Sequence, residues 1–409
     1  TLDRHAPSSD EKESTIVLLS PGPANESYFE HAYLANYLGY TLVEGSDLVV
    51  REERVWLKTL EGLRPVHVIL RRMDDSYCDP VELREDSYRG VPGLMNAVRA
   101  GNVAVANPLG SGILESPALL RYLPELARLL LGQELMLPSV ETWWCGDPLE
   151  RQHVLANLEN LVIKPVHQSM GFRSRFGAEL STAEREELKA RILANPVVYI
   201  AQERLPMSSL PVFDGDSLKP RHAVLRAFLV AEEHGYMVMP GGLTRVGSSN
   251  DQLIVTSQAG GISKDTWVLA TEPEKQVSLL GERQHAVYVP ERHGAVPGRV
   301  ADNMFWTGRY AERAEFVSRL LRLALQFLET GEGAGTQAFN RLLMSVTKQT
   351  MTWPGFLNLP AGDPEAARNE LYRVICDRSS SGSLMQTLSS FLRTARSVRD
   401  RLSSDPWRI

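Results

Sequence analysis

The first 150 residues alternate short apolar runs with amphipathic stretches, which is the pattern of an α/β domain. Residues 15–38 are predicted to form a buried strand, a proline-glycine turn and a helix whose apolar positions include Phe29, Tyr33 and Tyr37. A ligand often binds at the carboxyl end of such a strand. The last part of this region, residues 138–148, has a proline at each end and is predicted to be a connecting segment. Further strands are predicted at 40–43, 66–70 and 101–107, a hairpin at 48–57, and a helix at 116–131.

A second α/β unit is predicted from residue 155 onward. Ser181 and Glu184 have the spacing of a capping box and start a predicted helix at 181–193. Residues 271–298 are polar and weakly periodic, which is typical of a linker. Strands are predicted at 161–165, 197–201, 223–230 and 253–255, and helices at 300–328, 337–348, 364–376 and 383–402.

Composition narrows the class of protein. The chain has 409 residues, of which 43% are hydrophobic and 23% charged, as in ordinary globular proteins. The formal charge of −6 argues against wholesale nucleic-acid binding. Three widely spaced cysteines favour a reducing compartment, and no apolar run approaches the length of a membrane span. We therefore expect a cytoplasmic protein that binds neither nucleic acid nor membrane.

The order of charged residues in the second unit suits ATP. Lys164 ends an apolar strand, where its ammonium group could reach phosphate oxygens. Gln202 and Glu203 end another strand, whose edge would offer backbone groups to adenine and a carboxylate to ribose. Arg226 and Arg245 follow and could balance the charge that develops in phosphoryl transfer. The alternative is that Lys164 merely extends its ammonium group into water.

The glycine-rich stretch 239–269 has two interpretations. Its glycine pairs, together with the cations Arg245 and Lys264, would let the backbone and its N–H groups approach an anion closely. The plainer interpretation is the glycine-rich end of a hairpin on any β-sheet. The paired glycines are Gly241 with Gly242 and Gly260 with Gly261.

A cluster of charges follows the strand at 66–70. Arg71, Arg72, Asp74 and Asp75 lie just beyond its carboxyl end, where a substrate could bind. A solvated cluster of ion pairs explains the same residues without a ligand.

Two families resemble this chain. Residues 16–269 resemble the circularly permuted ATP-grasp proteins, and residues 299–409 resemble the helical alpha-E domain, which looks incomplete here. The first resemblance rests on the segments 20–23, 28–32, 42–45, 71–75, 90–93, 101–107, 240–245 and 263–269. The second rests on the segments 299–303, 306–315 and 395–402.

The resemblance implies an architecture. It is an α+β ATP-grasp-like fold of the permuted type, with a preceding α/β pre-ATP-grasp-like subdomain and a C-terminal all-α domain. The implied divisions are a disordered tail at 1–14, the α/β domain at 15–150, the nucleotide-binding domain at 151–270, the linker at 271–298, and the helical domain at 299–409.

The resemblance also implies an activity. ATP-grasp enzymes of this group use ATP and Mg²⁺ to join a carboxylate to an amine through an acyl-phosphate. Arg226, Arg245 and Lys264 would then be catalytic, while Arg71, Arg72, Asp74 and Asp75 would bind the substrate. Metal ligands are expected outside this chain, in an N-terminal segment that the family carries. Residues that would bind the nucleotide are Lys164, Ser169, Gly171, Arg173, Gln202, Glu203, Gly241, Gly242, Gly260 and Gly261.

Two departures from the family pattern favour a different function. The loop after Lys164 is not glycine-rich, and Val224 stands where the family has an aspartate. The alternative is a non-catalytic module that binds a nucleotide or another anion and docks a protein partner through its helical domain. A purely structural protein is a third hypothesis.

Overall fold

The computed structural model forms two compact units, residues 1–112 with 288–409 and residues 113–287. The structure describes residues 2, 6–7, 14–167, 174–232, 235–249, 255, 260–270, 272, 296–330, 336–359 and 363–402. Most of the predicted tail (1–14) and of the predicted linker (271–298) lies outside the described residues, as does the predicted strand at 253–255 apart from Val255.

The elements are numbered in chain order. The strands are β1 (Ile16–Leu19), β2 (Thr41–Val43), β3 (Leu48–Arg51), β4 (Arg54–Thr59), β5 (Gly62–Val66), β6 (Val68–Arg71), β7 (Ala104–Ala106), β8 (Thr142–Trp144), β9 (Leu161–Pro165), β10 (Arg175–Phe176), β11 (Tyr199–Glu203), β12 (Ser209–Phe213), β13 (Leu218–Arg226), β14 (Leu229–Glu232), β15 (Gly235–Val238), β16 (Gly242–Val246) and β17 (Ile262–Thr266). The helices are α1 (Tyr28–Leu38), α2 (Leu94–Arg99), α3 (Leu119–Leu131), α4 (Pro148–Ala156), α5 (Thr182–Ala194), α6 (Gly298–Thr330), α7 (Gln337–Thr350), α8 (Pro364–Cys376) and α9 (Leu384–Ser397).

A parallel sheet of order β2-β1-β6-β7 is the centre of the first unit. Both faces of β1 are covered, as parallel strands require: Leu18 packs with α1, while Val17 and Leu19 pack on the other side. Helix α1 ends at Gly39, whose φ of 74° is left-handed. The strand, turn and helix predicted at 15–38 are therefore confirmed.

The buried face of α1 differs from the one that the sequence predicts. The aromatic positions Phe29, Tyr33 and Tyr37 are 44%, 56% and 56% exposed. The helix instead packs on the sheet through small side chains, Ala32 and Ala35, which let it approach the strands closely. Aromatic spacing alone thus identified the helix and missed its face.

The second unit holds an antiparallel sheet of order β10-β9-β11-β8. One face of this sheet packs on α4 and α5, with Ile163 and Ala201 against Val154, Leu188 and Ile192. The prediction of a connecting segment at 138–148 was wrong, because β8 lies within it. Trp143 packs against this core, which makes a strand of a stretch whose prolines suggested a loop. The unit's other sheets are β12-β13-β16-β17 and the hairpin β14-β15.

Helices α6 to α9 form the C-terminal helical region, at the places that the sequence predicts. Their core joins Val317, Leu321 and Ala324 of α6 to Phe339 of α7 and Leu371 of α8. Only the second half of α6 carries this buried stripe, since Phe305 and other residues near its start are exposed.

Arg299 ties the start of α6 to the parallel sheet within the first unit. Its guanidinium lies 2.9 Å from Asp47 and 2.9 Å from Glu44, which follow β2. It also donates to the carbonyl oxygen of Ser397, which accepts a second hydrogen bond from the Tyr28 hydroxyl at 3.2 Å. Asp47 is only 2% exposed, and burial raises the pKa of the Glu44 carboxyl. The two acids therefore depend on this arginine for their charge balance.

A buried polar pair lies beneath the carboxyl end of β1. The hydroxyl of Ser20, which is fully buried, is 3.0 Å from Nδ1 of His31 on α1. Burial, and then the charge of Arg72, lower the pKa of His31 to about 4. The imidazole is therefore neutral at physiological pH.

We expect the change Arg299→Ala to lower the free energy of unfolding by about 3 kcal/mol, because it leaves the buried carboxylate of Asp47 and the half-buried carboxylate of Glu44 without their cation. Urea unfolding followed by circular dichroism measures this. Arg319→Ala is the matched control, since Arg319 also lies on α6 and pairs with Glu315, but both side chains are exposed. That variant is expected to stay within about 0.5 kcal/mol of the native chain. Equal losses in the two variants would contradict the role assigned to Arg299.

His31 makes stability depend on pH. In the unfolded chain the imidazole has a pKa near 6.5 and binds a proton below that pH. In the folded protein its pKa is about 4, so it stays neutral down to about pH 4. The unfolded state thus binds more protons in this window, so the free energy of unfolding falls as pH falls from about 6.5 toward 4. His31→Gln removes this component, and urea unfolding at several pH values should give it a flatter profile. Identical profiles for the two proteins would refute the assignment.

Candidate functional site

Lys164 lies on the face of its sheet opposite the helices. The pairing register places Lys164 and Val162 of β9 on the same face as Gln202 of β11 and Thr142 of β8. The ammonium group of Lys164 donates to the Gln202 side-chain oxygen at 2.6 Å, and the Gln202 amide donates to the Thr142 hydroxyl at 3.1 Å. A chain of polar groups therefore crosses three strands and ends at the lysine.

The positive charge of Lys164 has no acid beside it in the described part of the chain. Burial lowers the pKa of this half-buried lysine, and the neutral Gln202 amide is its hydrogen-bond partner. A cation that is partly removed from water without a counter-ion favours an anionic ligand. The arrangement fits a phosphate group better than it fits a lysine whose ammonium group simply reaches water.

Glu203 is already engaged in holding β8. Its backbone N–H donates to the Glu141 carbonyl at 3.1 Å, and its carboxylate accepts the Glu141 N–H at 3.2 Å. The expectation that this strand offers a free backbone edge to adenine is wrong, because β11 is paired on both sides, by β9 and β8. The remaining oxygen of Glu203 is the part of the residue left for a ribose hydroxyl.

Most of the loop after β9, residues 168–173, lies outside the described residues. Three of the residues predicted to bind the nucleotide, Ser169, Gly171 and Arg173, lie outside the described residues.

Arg226 and Arg245 lie together on one face of the second sheet. Val224 pairs with Arg245 and Arg226 pairs with Leu243, so the two arginines are diagonal neighbours. Lys264 pairs with Thr244 and so lies on the opposite face, where its ammonium group donates to the Pro211 carbonyl. The structure therefore brings together two of the three residues predicted to be catalytic and separates the third.

Among the described residues, two buried nitrogens on that arginine face have no hydrogen-bond partner. They are Nε of Arg245 and Nδ1 of His222, which lies two residues before Val224 on the same side of β13. An unpaired buried donor or acceptor costs roughly 1–3 kcal/mol, so a ligand that supplies the missing partner gains that energy. Sequence reasoning missed His222, although its alternation with Val224 and Arg226 places it on the same face.

The paired glycines at 241–242 and 260–261 have structural roles in the pairing and turns of the strands. A Cβ at Gly242 would lie 2.7 Å from the carbonyl oxygen of Arg226, so the residue permits close pairing of β13 and β16. Gly241 and Gly260 have φ values of 154° and 79°, and Gly260 and Gly261 lead into β17. Each shapes a turn beside the arginine face.

Arg71 in the first unit is buried and organises the loop that follows β7. It donates to the carbonyl oxygens of Met73, Asn107 and Pro108 and to the Ser111 hydroxyl, which lies at 3.1 Å. These four contacts engage all three guanidinium nitrogens, so the geometry of Arg71 is that of a structural residue.

The acids predicted beside Arg71 are also engaged within the protein. Asp75 accepts the N–H groups of Gly110 and Gly112 at 3.1 and 3.2 Å. Asp74 caps a short turn by accepting from Ser76. Arg72 remains exposed, with no partner for its side chain among the described residues.

A cavity of about 730 Å³ lies between α3, α4 and the edge strand β8. Its volume is that of a small-molecule pocket. The Arg121–Glu150 ion pair lies on its wall, as do Trp143 and His153, whose ring centres are 4.7 Å apart with the ring planes tilted by 31°. Sequence reasoning did not find this cavity, because it depends on β8.

Two further observations concern metals and membranes. Within the described ranges, no three His, Cys, Asp or Glu side chains cluster as a metal site. Of the helices searched there, none combines the length and apolar character needed to cross a membrane.

Comparison with known proteins gives two family matches. Residues 1–247 match the model described as circularly permuted ATP-grasp type 2. Residues 296–409 match Alpha-E, described as a predicted alpha-helical domain with a conserved ER motif. These matches confirm the predicted fold class, in which an ATP-grasp fold with an α/β region precedes a helical domain. The predicted domain boundaries stay predictions.

Curated relatives are longer than this chain. The uncharacterized protein Rv2567 of Mycobacterium tuberculosis is 36% identical over 418 residues, or 97% of this chain and 46% of the relative. Rv2411c of the same organism is 40% identical over 288 residues, 70% of this chain and 52% of the relative. The protein sll0335 of Synechocystis sp. is 42% identical over 254 residues, 62% and 53% respectively. The chain spans about half the length of these relatives.

A solved structure of the ATP-grasp ligase PsnB, complexed with a minimal precursor, Mg and ADP, covers 63% of this chain and 89% of its own. Its TM-score is 0.27 at 14% identity, so it adds nothing to the assignment. The assignment rests on the first family match, which spans more than half of the 409 residues. The chain therefore belongs to the circularly permuted ATP-grasp type 2 family.

Proposed function

We propose that the protein is part of an ATP-dependent ligase that joins a carboxylate to an amine. The observation that carries this proposal is the ammonium group of Lys164, half-buried and held by a neutral amide at 2.6 Å. A phosphate oxygen supplies the negative charge that this lysine lacks. The family membership supports a nucleotide triphosphate as the source of that phosphate.

The arginine face of β13 and β16 supports the same ligand. Arg245 and His222 each have a buried nitrogen without a partner in the described part of the chain, and Arg226 is a diagonal neighbour of Arg245. An arginine and a histidine can share the oxygens of one tetrahedral anion. We assign these three side chains to the binding of the ATP phosphates. Lys264 lies on the other face, and we assign it a structural contact.

The proposed reaction has two steps. A carboxylate oxygen of the substrate attacks the γ-phosphorus of ATP, and ADP leaves, which gives an acyl-phosphate. The amine nitrogen then attacks the acyl carbon, phosphate leaves, and the nitrogen loses a proton. Lys164, Arg226 and Arg245 would stabilise the charge that builds on the phosphoryl oxygens.

Mg²⁺ is expected to accompany ATP, as in other phosphoryl-transfer enzymes. The described residues do not form a three-ligand cluster for it. We therefore assign no residue and no step of this chain to the metal, and we expect its ligands elsewhere in the protein.

A second candidate is a non-catalytic module that binds a nucleotide and docks a protein. Val224 favours it, because an apolar side chain lies opposite Arg245 where the family resemblance implies an aspartate. The docking surface would be the exposed aromatic cluster at the start of α6, formed by Phe305, Trp306 and Tyr310. A cytoplasmic location, proposed for either candidate, agrees with free cysteines at positions 78, 145 and 376.

The change Lys164→Met tests the phosphate role. Loss of a charge-assisted hydrogen bond should weaken ATP binding by about 10- to 100-fold in calorimetry. Lys189→Met is the control, because Lys189 belongs to the same unit and is already paired with Glu186 at 2.9 Å. The control is expected to bind ATP as the native chain does. Saturable ATP binding that is equal in both variants would exclude the role of Lys164.

We expect the Arg245 side chain to lower the stability of the fold and to strengthen ATP binding. Arg245→Met removes a buried nitrogen that has no partner within the described ranges, so the free energy of unfolding is expected to rise by about 1 kcal/mol. The same variant should bind ATP more weakly. Arg226→Met, a change at an exposed arginine on the same face, is expected to weaken ATP binding with little change in stability. If Arg245→Met destabilises the fold in urea unfolding, its guanidinium has a structural partner and the assignment fails.

A further inference from the structure

The carboxyl ends of β1, β2 and β6 gather charged side chains at one edge of the parallel sheet. Nearly all of them satisfy each other or the backbone. Glu44 and Asp47 pair with Arg299, each at 2.9 Å, while Asp74 and Asp75 accept local hydrogen bonds. Arg71 donates four hydrogen bonds within its own loops.

Arg72 is the exception along this edge. Its side chain is exposed and, in the residues that the structure describes, forms no hydrogen bond or ion pair. It follows β6, the neighbour of β1, and its backbone N–H donates to the Leu19 carbonyl at 2.9 Å. The chain leaves β1 toward β2 on one side, while β6 lies on the other, so this is a topological switch point of the sheet. Open α/β sheets bind their ligands at such a point.

His31 offers a second donor at the same place. The Ser20 hydroxyl accepts the Gly22 N–H at 3.2 Å, and among the described residues its own hydrogen has no acceptor except Nδ1 of His31. This arrangement puts the imidazole hydrogen on Nε2, for which the described chain provides no acceptor. The ring is 3% exposed, and it lies close enough to Arg72 for that charge to lower its pKa.

We propose that this edge binds a carboxylate group, with Arg72 supplying the charge and the Nε2–H of His31 a neutral hydrogen bond. Ser20 acts as a positioning residue, because its hydroxyl fixes the imidazole tautomer. A guanidinium matches the two oxygens of a carboxylate, and a neutral N–H adds direction without a second buried charge. If the proposed ligase function holds, this carboxylate belongs to the substrate; the binding site itself does not require that function.

Glu30 is the remaining charge that acts on the ring. It lies next to His31 on α1, is exposed, and has the smallest effect on the imidazole. Its carboxylate forms no ion pair with Arg72 in the described structure, so the guanidinium stays available to a ligand.

The test uses glutarate, a simple dicarboxylate, and glutaramide, its uncharged diamide. The full chain is labelled with ¹⁵N-histidine, and the imidazole signal of His31 is assigned by its loss in His31→Gln. Glutarate is expected to shift this signal saturably, and glutaramide is expected to leave it unchanged. Equal shifts with both compounds, or no saturable shift with glutarate, would overturn the proposal.

Two arginine variants give the control. Arg72→Gln is expected to weaken glutarate binding about tenfold or more. Arg54→Gln removes the same charge from an exposed position on β4 of the same unit and should leave the affinity unchanged. Equal losses in the two variants would show a general charge effect and refute the site. ATP binding is measured in parallel by calorimetry. If the proposed ligase function is wrong and the carboxylate site is right, the chain binds glutarate but not ATP.

Discussion

A cation that is removed from water needs a negative partner, and this requirement sorts the basic residues of the chain. Arg299 meets it with two carboxylates and so joins α6 to the parallel sheet. Arg71 replaces such a partner with four hydrogen bonds to neutral oxygens and so fixes the loop after β7. In the described protein Lys164 has one neutral acceptor, the Gln202 side chain, and Nε of Arg245 has none. The cations with a structural role thus differ from Lys164 and Arg245 in how many of their donors have partners, a difference that residue type does not reveal.

Most elements of the fold could be predicted from the sequence, because local patterns determine them. Helix α5 has its capping box, with Ser181 and Glu184 hydrogen-bonded to each other as their spacing implies. Strand β9 has an uninterrupted apolar run, and its last side chains are Lys164 and Pro165 as expected. Such features depend on residues within one turn or one strand, where spacing is sufficient information.

Two of the misses involve strand partners distant in sequence. Strand β8 pairs with β11, about 60 residues later in the chain, and this pairing closes the backbone edge of β11. Lys264 was predicted beside Arg245, but the pairing register puts it on the other face of the sheet. A shift of one residue in register exchanges the two faces, and sequence spacing cannot fix register across a long connection.

Sequence spacing therefore places a segment in the fold but does not identify the partners of its individual atoms. The run from Arg71 to Asp75 lies at the edge of the sheet that we propose to bind a carboxylate, and within the described chain only the Arg72 side chain remains available there. Its partner His31 comes from α1, 41 residues earlier, and is held by Ser20 at 3.0 Å. No sequence motif connects these residues. What they share in the described structure is that His31 has a ring N–H without an acceptor and Arg72 has a charge without a counter-ion. Those two deficits can be recognised only after every neighbouring donor and acceptor has been assigned its partner.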